Sequence, residues 1–187
     1  MAPPVAISVS YKKYGSPLYA SSWGEHGILL GGGGGDMACG LKNRIMLVEQ
    51  NELGQLSEPL ASVDTDKELP SRLAVHPKGV EMVVGFEETC AHFELIFAKD
   101  ATTPHDIVKV ATHTKTLAAS GEQSSVTFSP KGDMLAMGSE DGVIKIFSWP
   151  EMKELVVQED AHDDSAISDL VFSADASQLL SVGRERA

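Results

Sequence analysis

The clearest alternation of apolar and polar positions lies between Ser124 and Trp149. Val126 and Phe128 alternate with polar neighbours, which places them on one face of a strand. Ser129-Pro130-Lys131-Gly132-Asp133 interrupts the pattern and predicts a turn. Met134 to Gly138 is an apolar run of the length of a buried strand. Glu140-Asp141-Gly142 predicts a tight hairpin with Gly142 at positive φ, and Val143 to Phe147 is the returning strand. The order recurs. Ile167 to Phe172, Ser173-Ala174-Asp175 and Leu179 to Gly183 repeat its first half, with Phe172 standing 44 residues after Phe128. Leu73 to Gly79 leading into Met82 to Gly85 is an earlier copy, in which Pro77, Gly79 and Gly85 precede Pro130, Gly132 and Gly138 by 53 residues each. Leu18 to Trp23, a glycine-containing turn and Ile28 to Gly31 form a degenerate fourth copy.

A repeat of this length built from strands points to an all-β propeller, one unit per blade. The units are similar to WD repeats. Ala161-His162 stands where that family has Gly-His, and Phe147-Ser148 stands where it has Trp-Asp. Blade-like units are predicted near residues 14–50, 70–100, 120–150 and 160–187, all within one domain. That makes an incomplete WD-repeat β-propeller, roughly three and a half blades where such propellers close with about seven. The expectation is a truncated chain whose open ring exposes an apolar face.

Composition narrows the function. The 187 residues are 42% hydrophobic, with 17 glycines and 9 prolines spread along the chain, which suits a packed core with many turns and argues against general disorder. The net charge of −12 argues against nucleic-acid binding, which needs a clustered basic face. Cys39 and Cys90 can make at most one disulfide and are read as thiols of a reducing compartment. The start Met-Ala-Pro-Pro-Val-Ala-Ile lacks the basic and apolar regions of a signal peptide, and no stretch approaches the roughly 18 apolar residues of a membrane span. The chain by itself is therefore expected to be cytosolic.

The most unusual segment is the run Gly31 to Gly35, followed by Asp36, Met37-Ala38-Cys39 and Gly40-Leu41-Lys42-Asn43. Five consecutive glycines cost entropy to order, so the loop either stays mobile or is held by something. It is not a phosphate-binding P-loop. Gly35 and Gly40 have the glycine spacing, but Leu41 stands at the lysine position, no hydroxyl follows, and Ile45 to Val48 reads as a strand rather than a helix. A dinucleotide fingerprint fails because the βαβ context is missing. What remains is a loop used through its backbone, whose carbonyls could meet a cation or a partner protein.

Tyr14-Gly15-Ser16-Pro17-Leu18-Tyr19-Ala20, a strand, the glycine run, Asp36 and then Gly40-Leu41-Lys42-Asn43 before a strand resembles the N-terminal blade of the SEC12-like family. These are exchange factors of the endoplasmic reticulum for the Sar-type small GTPase of COPII budding. The family includes prolactin regulatory element-binding protein and several plant members, and the resemblance implies a shortened plant member. It implies a guanine-nucleotide exchange factor that does no covalent chemistry and binds no nucleotide itself. Gly31, Gly32, Gly33, Gly34 and Gly35 would form a partner-binding loop with Gly40 and Leu41, and a potassium ion would sit on carbonyls of Gly32, Gly33 and Gly34. Asp36 matches the acid after the glycines, and Asn43 the asparagine that closes the loop and matters for exchange. The implied partners are the GTPase and the COPII machinery, at the cytosolic face of the endoplasmic-reticulum membrane. Met37-Ala38-Cys39, Lys42 and the absent anchor depart from the pattern. Met37 to Cys39 motivate one alternative, an adaptor for cargo exit that has lost exchange, and a generic WD scaffold is another.

Other residues carry no pattern of their own. The six histidines are dispersed, and Cys90-Ala91-His92 has no second pair at zinc spacing. His162 is expected to hydrogen-bond within its blade, and Trp23 and Trp149 to pack in the core or at blade edges.

Overall fold

The computed structural model describes residues 11–35, 39–99, 101–119 and 122–184. Its architecture is all-β apart from one short helix. Four strands, β1 (Leu18–Gly24), β2 (Gly27–Gly32), β3 (Arg44–Val48) and β4 (Ala61–Asp64), form an antiparallel sheet in that order. A second sheet follows with β5 (Arg72–Val75), β6 (Glu81–Gly85), β7 (Cys90–Phe97) and β8 (Pro104–Val110). After the helix α1 (Thr114–Ala119), a third contains β9 (Gln123–Phe128), β10 (Met134–Ser139), β11 (Ile144–Ser148) and β12 (Glu154–Gln158). The hairpin β13 (Ile167–Phe172) and β14 (Leu179–Gly183) stands alone. The first strands β1, β5, β9 and β13 pack side by side, so the sheets fan outward from a common axis as propeller blades do.

The sequence makes these strands through burial on two faces. In β6, Met82 and Val84 face the first sheet and pack with Leu29, Ile45 and Leu47, while Val83 faces the third and packs with Leu135 and Met137. In β10, Leu135 and Met137 look back to the second sheet, and Ala136 meets Ile167 and Leu170 of the hairpin. Middle strands therefore read as unbroken apolar runs instead of alternating. Each fully buried Leu, Ile or Met contributes about 1.5–3 kcal/mol. Gly138 is small because a β-carbon there would lie 2.8 Å from Ile167 Cγ2.

The turns lock neighbouring blades. Gly142 takes φ +82 in the β10–β11 hairpin, as its place in the sequence predicts. His76, in the β5–β6 turn, sets Nε2 3.0 Å from the Gly132 carbonyl in the matching turn of the next blade. Trp149 is buried and donates through Nε1 to Glu81 Oε2 at 2.8 Å. His92 and His113 pack against its ring at centroid distances of 5.0 and 4.6 Å. Cys90 is buried in the same joint, and burial pushes its thiol up to about 12, so it remains a protonated packing group. No disulfide joins Cys39 and Cys90.

Trp23 departs from expectation, being 68% exposed. Its register with Ile28 and Val48 puts it on the outward flank of the first sheet, which among the described residues the segment around Tyr14 partly covers. The opposite end of the fan exposes Val171, Leu180 and Val182 on the outward flank of the hairpin. The open ring thus exposes apolar surface at both ends. No helix among the described residues is long and apolar enough to cross a membrane.

Candidate functional site

The glycine run is shorter as a loop than the sequence suggests. Gly31 and Gly32 are the last two residues of β2, paired with Ile45 and Arg44 of β3 on one side and with Ala20 and Leu18 of β1 on the other. Gly32 has no room for a side chain, and Gly31 has little. A β-carbon on Gly31 would lie 3.1 Å from the Pro70 carbonyl oxygen, and one on Gly32 would run into the Pro17 carbonyl. The loop proper begins at Gly33, whose N–H donates to the Pro17 carbonyl at 3.0 Å.

The glycines that follow are held by Asn43. This residue is 1% exposed and stands immediately before β3, so the sheet fixes its backbone. Its side-chain amide engages Gly35 from both sides. Oδ1 accepts the Gly35 N–H at 2.9 Å, and Nδ2 donates to the Gly35 carbonyl at 2.8 Å. The remaining Nδ2 proton reaches the Asp66 carbonyl at 3.0 Å. The Asn43 main-chain carbonyl accepts from Thr65 N–H at 2.9 Å. An asparagine amide reproduces a strand's donor and acceptor pair, which is how it pins a backbone turn. Gly35 adopts φ +73, where a side chain would be strained.

Close approach explains the glycines at 33 and 34. A β-carbon on Gly33 would collide with Asn43 and lie 2.8 Å from the Lys42 carbonyl oxygen. On Gly34 it would collide with Cys39 Sγ, and it would lie 2.8 Å from Leu41 Cβ and 3.1 Å from the Leu41 carbonyl oxygen. The bare backbone of Gly33–Gly34 therefore sits against the carbonyls of Leu41 and Lys42. Main-chain oxygens are the kind of ligand a large monovalent cation takes. Of the glycines read as cation ligands, Gly32 lies in the β-ladder, and Gly33 and Gly34 pack against the segment Leu41 to Asn43.

The remaining site residues divide. Leu41 is 38% exposed beside the loop, and Gly40 is exposed, with nothing within 4 Å of where a β-carbon would stand. Lys42 pairs with Asp64 at the end of β4. Asp36, with Met37 and Ala38, lies outside the described residues. Sequence reasoning missed Thr65, Asp66 and the Leu41 and Lys42 carbonyls. All contribute main-chain atoms, which leave no signature in residue type. Cys39, exposed on the loop, donates through Sγ to the Gly34 carbonyl at 3.5 Å.

Comparison with known proteins fits this picture. The family model for the WD domain, G-beta repeat, matches residues 111–148. SEC12-like protein 2 of Arabidopsis thaliana is 32% identical over 148 residues, spanning 77% of this chain and 36% of that protein. SEC12-like protein 1 of the same plant is 32% identical over 127 residues, 66% of this chain and 30% of that protein. The chain thus spans about a third of the length of these curated relatives. Among solved structures, the β-propeller domain of Myceliophteria thermophila Cps50 (Swd1) superposes with a TM-score of 0.62 at 14% identity, over 89% of this chain and 49% of that one. Chaetomium thermophilum Sqt1, bound to the N-terminus of ribosomal protein L10, gives a TM-score of 0.65 at 14% identity, over 89% and 43%. At that identity the likeness shows the propeller fold alone.

Proposed function

We propose that this chain, which belongs to the SEC12-like family of WD-repeat propellers, carries the partner-contacting end of a guanine-nucleotide exchange factor for a Sar-type small GTPase. That role would place it in COPII vesicle formation at the cytosolic face of the endoplasmic reticulum. The carrying observation is the Asn43 clamp, which fixes the glycine turn at Gly35 at one exposed end of the first blade. Exchange needs no covalent chemistry. The factor binds the nucleotide-free GTPase more tightly than the loaded form, and by reciprocity nucleotide and factor weaken each other's binding.

Asn43 is a positioning residue in this scheme. It holds Gly35 in one shape before the partner arrives, which lowers the entropy lost on docking. A potassium ion on main-chain carbonyls of this turn, those of Gly33 and Gly34 among them, would add rigidity to it. The loop presents backbone and the Leu41 side chain to the GTPase, so contact relies on shape and main-chain hydrogen bonds.

The test is the affinity of the chain for a purified Sar-type GTPase, nucleotide-free against GDP-loaded, in potassium and in sodium buffer. The proposal expects at least tenfold tighter binding to the nucleotide-free form, with a larger ratio in potassium. Equal affinity for the two forms would overturn exchange and leave the trafficking adaptor. No binding to either form leaves only the WD scaffold.

A further inference from the structure

A cleft of about 230 Å³ opens beside the glycine loop, between the segment joining the first two blades and the β6–β7 turn. Phe86 and Leu69 form its apolar lining, and Glu87, Glu88, Glu68 and Lys67 its rim. A continuous set of bonds joins it to the loop. Asn43 holds Gly35 and Asp66, and Thr65 Oγ1 donates to the Glu68 carbonyl at 2.6 Å. Thr89 Oγ1 donates to Glu68 Oε1 at 3.2 Å, and Phe86 N–H donates to the Thr89 carbonyl at 2.7 Å. Leu69 Cδ2 lies 3.9 Å from the position a β-carbon on Gly35 would take. Gly35 and the cleft are therefore tied together through one set of hydrogen bonds.

The charges on this surface are unevenly matched. Glu68 is paired with Lys109 at 3.1 Å, and Lys42 with Asp64. Glu87, Glu88 and Lys67 are exposed and make no ion pair among the described residues, which leaves the rim with a net negative charge. The Phe86 ring already carries one cation, with Lys109 Nζ 5.7 Å from its centroid. The volume falls below the roughly 300–1,000 Å³ typical of small-molecule sites, so a cofactor is a poor fit and a single side chain a good one.

We infer that this cleft receives a lysine or arginine side chain of the GTPase that the glycine loop contacts, its stem on Leu69 and its charge on Glu87 and Glu88. The inference rests on the exchange-surface reading. Complementary charge at a rim acts chiefly on the association rate and its salt dependence.

The test measures association of the full chain with nucleotide-free Sar-type GTPase over a range of ionic strength. The variant Glu87→Lys/Glu88→Lys is compared with Glu25→Lys/Glu49→Lys, which makes the same change in net charge at the opposite end of the blades. The first should lower the association rate about tenfold at low salt and flatten its salt dependence; the second should change it less than about twofold. Equal effects of the two variants, or no effect of the first while the parent chain binds, would overturn this inference alone. A parent chain that does not bind the GTPase overturns the exchange-surface reading and this inference with it.

Discussion

Asn43 illustrates how far a residue type can be read. An asparagine after a glycine run marks a turn, and the structure supplies the partners: both edges of Gly35 and the carbonyl of Asp66. Those partners lie 8 and 23 residues away, and main-chain atoms leave no trace in a sequence, so the clamp's geometry was not legible. The glycines were legible as unusual but misjudged in extent. Gly31 and Gly32 are needed for packing within a sheet, whereas Gly33 to Gly35 shape the loop. Because Gly34 is enclosed by Cys39 and Leu41, Gly34→Ala should cost about 1–3 kcal/mol of unfolding free energy, through overpacking. A urea titration with the midpoint unchanged would show that the loop is not packed as described.

At the scale of elements, the turn-and-strand units were legible because Ser-Pro-Lys-Gly and Glu-Asp-Gly punctuate apolar runs. The outer strands β4, β8 and β12 were not, because edge strands bury little and carry weak patterns: every residue of β12 is exposed. The joint between the second and third blades holds chemistry that the pattern hides. His92 is 3% exposed, and among the described residues neither of its ring nitrogens has a hydrogen-bond partner. Glu81 Oε2 lies 4.0 Å from its Nε2, and His113 and Trp149 pack against the ring. Burial lowers the pKa of His92, partly offset by Glu81 and reinforced by His113. Burial also lowers that of His113, against the opposing pull of Glu81 and Glu151. With folded values below the ordinary 6.5, the unfolded chain takes up protons first as pH falls. Stability from this joint is complete above about pH 6.5 and declines below it. Thermal melts between about pH 8 and 5 should show that decline, and His92→Phe should flatten it; an unchanged slope in the variant would remove His92 from the account.

As a whole molecule, the chain is a fan of three four-stranded blades and one hairpin, with apolar flanks at both ends. The fold class was legible from repeats, since three copies of one turn-and-strand unit require stacked blades to bury their faces. The partner was not legible from physical pattern. It entered through the resemblance of Tyr14 to Val48 to SEC12-like proteins, and the structure contributes the segment Gly33 to Gly35, held by Pro17 and Asn43 at the end of the first blade. The most direct test of that claim is release of fluorescent GDP from a Sar-type GTPase in potassium buffer, with the parent chain and with Asn43→Ala, after each is checked for the same β-sheet circular dichroism. Acceleration by the parent chain, reduced at least tenfold in the variant, is the expected result. A parent chain that leaves release at its spontaneous rate, or a folded Asn43→Ala chain as fast as the parent, would contradict it.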